Sequence, residues 1–130
     1  MGIKIERFED LHVWQRAQDL AVFVYARLSE CKDYKFKSQF TDACVSISNN
    51  IAEGFDQPTT TNYVRYLHIA RTSSNETRSM SYLALRLNYL VSEDQAHVLK
   101  ECEEISRMLR SMIEKLEAKI VRDGPRRPTP

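Results

Sequence analysis

The fold class of this chain is decided by residues 36–55, FKSQFTDACVSISNNIAEGF. Their apolar residues recur at steps of three and four, which places them on one face of a helix. The members of this face are Phe40, Ala43, Cys44, Ile47, Ile51 and Phe55. The stretch predicts a helix that ends at Gly54, because glycine readily takes the left-handed conformation that closes a helix.

Three further segments have the same periodicity, and the chain of 130 residues contains only three glycines and four prolines to interrupt them. No stretch alternates apolar and polar residues for long enough to predict a strand. We therefore predict an all-α, up-down-up-down four-helix bundle that assembles as a homo-oligomer. The predicted segments are a lead-in at 1–9, helices at about 10–30, 36–54, 60–90 and 93–122, and a flexible tail at 123–130.

Composition and charge limit the partners and the cellular compartment that the sequence predicts. A net charge of +1 gives no overall attraction to nucleic acid or to an anionic membrane. No apolar run reaches the roughly 18 residues of a membrane-spanning helix, and the first ten residues lack the apolar centre of a signal peptide. Three widely spaced cysteines indicate reduced thiols. We expect a cytoplasmic protein with no membrane partner.

Helix 60–90 has two neighbouring stripes of apolar or small residues, more than the core of a single bundle requires. In helix 10–30 one phenylalanine also lies away from the main apolar stripe. Surplus apolar surface usually marks an interface. We predict that the oligomer interface includes Phe23, Tyr63, Leu67 and Leu85.

A basic row follows the same helix. Its members, Arg65, His68, Arg71, Arg78 and Arg86, fall within roughly 140° of arc. Glu76 is the only acidic residue between Thr59 and Val91. Tyr82 and Tyr89 lie on the same side, where they could stack on unpaired bases. The row is interpreted as a candidate RNA-binding surface. The alternatives are that it is simply a solvated face, or that its arginines pair with the acidic helix 93–122.

Asn50, Glu53 and Glu76 form a candidate polar cluster. A catalytic role would require a nucleophile or a base nearby, and the sequence offers neither. We interpret the cluster as a buried hydrogen-bond network that fixes helix register or subunit contacts.

The sequence gives little support for catalysis or for a bound metal or other cofactor. Glu9 and His12 form an E-x-x-H pair, and Asp94 and His97 form a looser one, but both lie at helix starts, where acids simply favour the helix dipole. Cys44 lies on an apolar stripe, so we expect a raised pKa and low reactivity. There is no glycine-rich phosphate loop. We predict no enzymatic activity and no cofactor.

Four motifs in order resemble the 23S ribosomal RNA intervening-sequence family: FEDLHVWQRA (8–17), VSISNNIAEGF (45–55), YVRYLHIARTSSNE (63–76) and LALRLNYL (83–90). The resemblance covers roughly residues 8–120. It implies a small bacterial helical bundle that associates with itself as a homopentamer. Ser48 stands where the family usually has proline, and Thr72 and Asn88 stand where glycines are common.

Three functions remain open at the level of sequence. The first is a non-enzymatic oligomeric bundle that contacts RNA or an RNA-binding protein. The second is a purely structural or protein-interaction bundle with no nucleic-acid role. The third follows from a related branch of the resembling family, the accessory proteins of diversity-generating retroelements, which bind a reverse transcriptase and nucleic acid. That branch is typically strongly basic, and the net charge of +1 counts against it.

Overall fold

Four α-helices make up most of the computed structural model, which describes residues 4–127. A short 3-10 turn, Phe8–Asp10, precedes them. The helices are α1 (His12–Arg27), α2 (Tyr34–Phe55), α3 (Thr60–Arg86) and α4 (Ser92–Asp123). The fold is all-α, as the periodicity predicts, and residues 4–127 contain no strand.

Each helix packs against two others. α2 contacts α3, α3 contacts α4, and α1 contacts both α2 and α4. The side chains between them are mainly aliphatic, and their burial removes the largest apolar area from water. The largest buried members of this core include Leu20, Phe40, Ile47, Ile51, Leu67, Ile105 and Leu109. None of the four helices is both long and apolar enough to cross a lipid bilayer.

The interior face of α3 is unusually rich in hydroxyl groups. Ser73, Ser74, Thr77 and Ser81 are all buried. The hydroxyls of Ser46 and Ser73 lie 2.8 Å apart, and the Ser74 hydroxyl lies 3.0 Å from that of Ser106 on α4. Within residues 4–127 every buried side-chain nitrogen or oxygen has a hydrogen-bond partner. These short side chains therefore join α3 to α2 and α4 without an unpaired polar group.

Two residues predicted for the oligomer interface lie inside the bundle instead. Tyr63 and Leu67 are 5% and 0% exposed, and burial raises the pKa of Tyr63 to about 12. The core-facing stripe of α3 also includes Ser74 and Ser81, whose hydroxyls are buried and hydrogen-bonded within the bundle. The apolar side chains of Ile69 and Leu87 are exposed instead.

Gly54 does not end α2. It is buried within the helix, which continues to Phe55. A Cβ atom at Gly54 would lie 2.7 Å from the Cβ atom of Tyr66 on α3. The sequence has glycine here because α2 and α3 approach too closely for any side chain, whereas Gly124, with φ 85°, follows the end of α4.

The segment predicted to be a flexible tail is partly held in place. Asp123 still belongs to α4, and the backbone N–H of Thr60 donates to the carbonyl oxygen of Pro125 at 2.7 Å. The guanidinium of Arg127 donates to the Gln57 carbonyl at 2.8 Å and lies over the ring of Tyr63. Backbone pairing and one arginine thus fix residues 124–127 against the start of α3. Residues 128–130, the rest of the predicted tail, lie outside the described residues, as do residues 1–3.

Candidate nucleic-acid interface

A hollow of about 230 Å³ lies between α3 and α4, and four arginines line it. Arg71 and Arg78 come from α3, and Arg107 and Arg110 come from α4. We call this hollow, which is also bordered by Asn75, Cys102, Glu103 and Ser106, the cationic groove.

Helix geometry explains why these arginines meet. Arg71 and Arg78 lie three residues before and four residues after Ser74, so all three share one face of α3. Arg110 follows Ser106 by four residues and shares its face of α4. Because the hydroxyls of Ser74 and Ser106 are in contact at 3.0 Å, the two faces are held side by side.

Three of the four arginines have no ionic partner. Within residues 4–127, no carboxylate oxygen lies within 4.0 Å of a nitrogen of Arg71, Arg78 or Arg110. Arg107, in contrast, pairs with Glu104 at 2.9 Å and with Glu103 at 3.8 Å. The alternative that the α3 arginines pair with the acidic residues of α4 therefore fails for Arg71 and Arg78. Within the described residues, the groove thus presents three arginines without an ion-pair partner, beside one carboxylate, Glu103, that pairs with Arg107.

The predicted basic row is divided by the fold. Arg71 and Arg78 line the cationic groove, whereas Arg65, His68 and Arg86 do not. The guanidinium of Arg65 lies 5.7 Å from the centre of the Tyr66 ring, and all three of these side chains are exposed.

The arginines contributed by α4 are hard to identify from the sequence, because acidic residues outnumber basic ones on the first half of that helix. One signal was present: Ser106 and Arg110 lie four residues apart beside the apolar row that includes Cys102 and Leu109. Residues that flank the buried row of a helix lie at its border with the neighbouring helix. Charged residues at such positions therefore line the groove between the two helices.

The two tyrosines considered for base stacking have different surroundings. The Tyr82 ring is 48% exposed and lines a hollow beside Arg78. Tyr89 packs against the Phe36 ring and donates a hydrogen bond from its hydroxyl to Asp33 Oδ2 at 2.7 Å. This bond raises the pKa of Tyr89 and lowers that of Asp33. Only Tyr82 offers a free face.

The predicted polar cluster does not assemble as a buried network. Asn50 donates to the Ser46 carbonyl oxygen at 2.8 Å and to its hydroxyl at 2.9 Å, and that hydroxyl contacts Ser73. Glu53 and Glu76 are exposed, and neither carboxylate is hydrogen-bonded to Asn50 in the described part of the chain. Short hydroxyl side chains, rather than the glutamates, join α2 to α3 here.

The remaining predicted interface residues are partly covered within the chain. Phe23 is half-buried, with its ring centre 4.4 Å from that of His97 and the Arg27 guanidinium 4.2 Å above it. Leu85 is also half-buried. More exposed apolar side chains lie elsewhere on α3 and after it, at Ile69, Leu83, Leu87 and Val91.

The buried thiols are poorly suited to nucleophilic chemistry. Burial raises the pKa of Cys44 to about 12, as its place on an apolar stripe predicts. Burial likewise raises the pKa of Cys102 to about 12, so the sulfur that borders the cationic groove is a neutral thiol at pH 7. Among residues 4–127, no group of three or more His, Cys, Asp or Glu side chains is arranged to hold a metal ion.

Comparison with known proteins gives a family match and a similar solved structure. Residues 9–111 match the family described as 23S rRNA-intervening sequence protein. The chain is also similar to a crystal structure of a protein with unknown function from the S23 ribosomal protein family of Bacteroides thetaiotaomicron. The TM-score is 0.73 and the sequence identity is 27%, over 78% of this chain and 97% of the other. A comparison with curated proteins gives no match.

Proposed function

The chain belongs to the 23S rRNA-intervening sequence protein family, and from this premise we propose that it is a non-enzymatic helical-bundle protein that binds RNA through the cationic groove. The observation that carries the proposal is the meeting of Arg71, Arg78 and Arg110 in one hollow with no carboxylate within ion-pairing distance among residues 4–127. A structural protein gains little from such an arrangement, because like charges held close together repel one another.

Arginine suits this role because its planar guanidinium donates two parallel hydrogen bonds to phosphate oxygens. Neutralising phosphates releases condensed counterions, which makes binding strongly dependent on salt. A local cluster provides this term even though the whole chain carries a net charge of only +1. The near-neutral total charge therefore does not weigh against a localised phosphate contact.

The test is a charge reversal of the groove. We expect the triple variant Arg71→Glu, Arg78→Glu, Arg110→Glu to bind a 23S rRNA transcript at least about tenfold more weakly than wild type at low salt. The slope of log K against log salt should also fall by about 2, since each lost phosphate contact removes roughly 0.7–0.9. Filter binding over a salt series measures both quantities.

A matched control reverses three exposed lysines outside the groove, Lys32, Lys35 and Lys115, and changes the net charge by the same amount. This control should retain the wild-type slope. Equal weakening in both triple variants would show a non-specific charge effect and would remove the groove from the proposal. Unchanged binding in the arginine variant would remove RNA binding by this surface altogether.

An up-down-up-down order of the helices is part of the same proposal. Along α3 and α4, Ser74 contacts Ser106, whereas the later Ser81 contacts the earlier Gln95. Along α1 and α4, the pairs Arg16–Glu101 and Arg27–Asp94 follow the same opposed order. Opposed orders of this kind are what antiparallel neighbours produce.

We also propose a homo-oligomer, with a pentamer as the expected form, whose contacts use exposed apolar residues rather than the buried Tyr63 and Leu67. Support comes from Leu83, Leu87 and Val91, which are 45%, 43% and 63% exposed near the junction of α3 and α4. Leu83 and Leu87 are four residues apart and so lie on the same side of α3, and an exposed apolar patch usually marks an interface. A light-scattering mass equal to a single chain at micromolar concentration would contradict this part of the proposal.

The cytoplasm is the compartment proposed for this protein. Cys31, Cys44 and Cys102 are all unpaired thiols, a state that a reducing environment maintains. We also propose that the protein has no enzymatic activity based on a cysteine nucleophile. Burial raises the pKa of Cys44 and of Cys102 to about 12, so both remain neutral thiols, which are poor nucleophiles.

A further inference from the structure

A second hollow, of about 400 Å³, adjoins the cationic groove on the outer side of α3. Asn75, Arg78, Ser79 and Tyr82 line it. Asn75 and Arg78 also line the cationic groove, so the two hollows share a border. A ligand bound by the arginines of the cationic groove could therefore continue across this border and reach Tyr82.

Tyr82 is placed to receive a flat ligand. Its ring is 48% exposed, and within residues 4–127 it makes no aromatic pair and its hydroxyl makes no hydrogen bond to another residue. Tyr89, seven residues further on, makes both an aromatic pair with Phe36 and a hydrogen bond to Asp33. An exposed aromatic ring can stack on a base, and an arginine without an ion-pair partner beside it can bind a phosphate. The two side chains together therefore suit the two parts of a nucleotide.

The spacing along α3 is compatible with a single nucleotide unit. Arg78 and Tyr82 are four residues apart, so they lie on the same side of the helix and about 6 Å apart along its axis. The Asn75 amide and the Ser79 hydroxyl, which also line the second hollow, are exposed and make no side-chain hydrogen bond within the described chain. They can donate to or accept from a base edge or a ribose 2′-hydroxyl.

A stacking contact distinguishes between forms of RNA. In a duplex the faces of the bases are already stacked on one another, whereas unpaired bases can turn out and stack on an aromatic ring. We infer that the preferred ligand of this surface is single-stranded RNA, with a phosphate held by Arg71, Arg78 and Arg110 and a neighbouring unpaired base stacked on Tyr82. The inference rests on the proposed RNA-binding function and adds the form of RNA and the role of Tyr82.

The experiment compares Tyr82→Ala with wild type on a single-stranded RNA oligonucleotide and on the same strand annealed to its complement. Fluorescence anisotropy at fixed salt gives the affinities. Wild type should bind the single strand more tightly than the duplex. Tyr82→Ala should weaken single-strand binding by about 5- to 100-fold, the usual effect of removing one stacking ring, and should leave duplex binding within about twofold.

Two further variants separate stacking from other effects. Tyr82→Phe keeps the ring and should retain the single-strand affinity within about twofold. Tyr25→Ala removes the matched tyrosine of α1, which has the same exposed fraction of 48%, and should leave both affinities unchanged. All three substitutions are at half-exposed surface positions, and circular dichroism checks that each variant is folded.

The outcomes distinguish this inference from the proposed function. If Tyr82→Ala binds like wild type while the arginine triple variant loses binding, the inference is wrong and the proposed function stands. Equal wild-type affinities for duplex and single strand would also overturn the inference. If neither the arginines nor Tyr82 affects either affinity, both the inference and the proposed function fail.

Discussion

Helix α4 borders two grooves of opposite character. On its α3 side lies the cationic groove, with four arginines in a hollow of about 230 Å³. On its α1 side lies a hollow of about 470 Å³, which we call the apolar groove, lined by Leu11, His12, Val13, Arg107, Met108, Ser111 and Met112. Arg107 lines both grooves, because it lies opposite the buried face of α4 and its long side chain borders either side.

The difference between the grooves comes from two rows of side chains on α4. Ser106 and Arg110 form one row, and Met108 and Met112 form the other. The two rows lie on either side of the buried residues Ile105 and Leu109. Neighbouring positions on one helix can therefore serve unlike purposes: the α3 side exposes charge to solvent, and the α1 side removes hydrocarbon from water.

The largest expected effect comes from placing the same acidic residue in each groove. Val13→Asp puts a carboxylate at a site that is 1% exposed and should destabilise the protein by about 3–5 kcal/mol, because a buried charge without a partner is costly. Arg78→Asp changes an exposed side chain and should alter the unfolding free energy by less than about 0.5 kcal/mol. Urea denaturation measures both. Similar losses in the two variants would contradict the contrast between the grooves.

A smaller effect is expected from moving α3 away from α2, which should disturb the cationic groove but not the apolar one. Gly54→Ala would place a Cβ atom 2.7 Å from the Cβ atom of Tyr66, and we expect a loss of about 1–3 kcal/mol. Ala118→Gly, at an exposed position of α4, measures the intrinsic helix preference by itself and should cost about 1 kcal/mol, whereas the same preference favours alanine at position 54. Thermal and urea unfolding supply the comparison, and a Gly54→Ala variant more stable than wild type would show that α2 and α3 are not tightly apposed.

The smallest effect concerns an ion pair that joins α1 to α4. Arg16 Nε donates to Glu101 Oε1 at 2.9 Å, and this bond lowers the pKa of Glu101 below its ordinary value of 4.5. A carboxylate with a lowered pKa in the folded state stabilises the protein above pH 4.5, and that contribution disappears as the pH falls through the folded-state pKa.

We therefore expect Glu101→Gln to cost about 0.5–1 kcal/mol at pH 7, a modest figure because water partly screens the pair. The difference from wild type should shrink as the pH is lowered below 4.5. Glu103→Gln, at a far more exposed carboxylate that pairs only at 3.8 Å, is the control and should show almost no difference at either pH. A Glu101→Gln difference that does not change with pH would rule out the ionic contribution.

Much of the architecture could be predicted from periodicity. The all-α class follows from apolar spacing alone, because a helix that must bury one face repeats its apolar residues every three or four positions. The basic character of α3 was also predictable, since four arginines and one glutamate stand between residues 59 and 91. The low reactivity of Cys44 followed from its place in an apolar row.

What periodicity does not determine is which neighbour each flank of a helix meets. Tyr63 and Leu67 share a stripe of α3 with Ser74 and Ser81, and such small polar residues indicate a core position only once their hydrogen-bond partners are known. The sequence predicts a helix end at Gly54 because glycine commonly closes helices. The contact that requires glycine here is with Tyr66, which lies on another helix and is not a neighbour in sequence.

The sequence by itself determined that this chain forms amphipathic helices, and that one of them carries a surplus of positive charge. Only the tertiary structure decided that Arg71 and Arg78 share a groove with Arg107 and Arg110, that Tyr82 is free while Tyr89 is not, and that Arg127 contacts the loop before α3. The physical reason is that helix periodicity is local, whereas a groove is made by side chains from two helices that are distant in sequence.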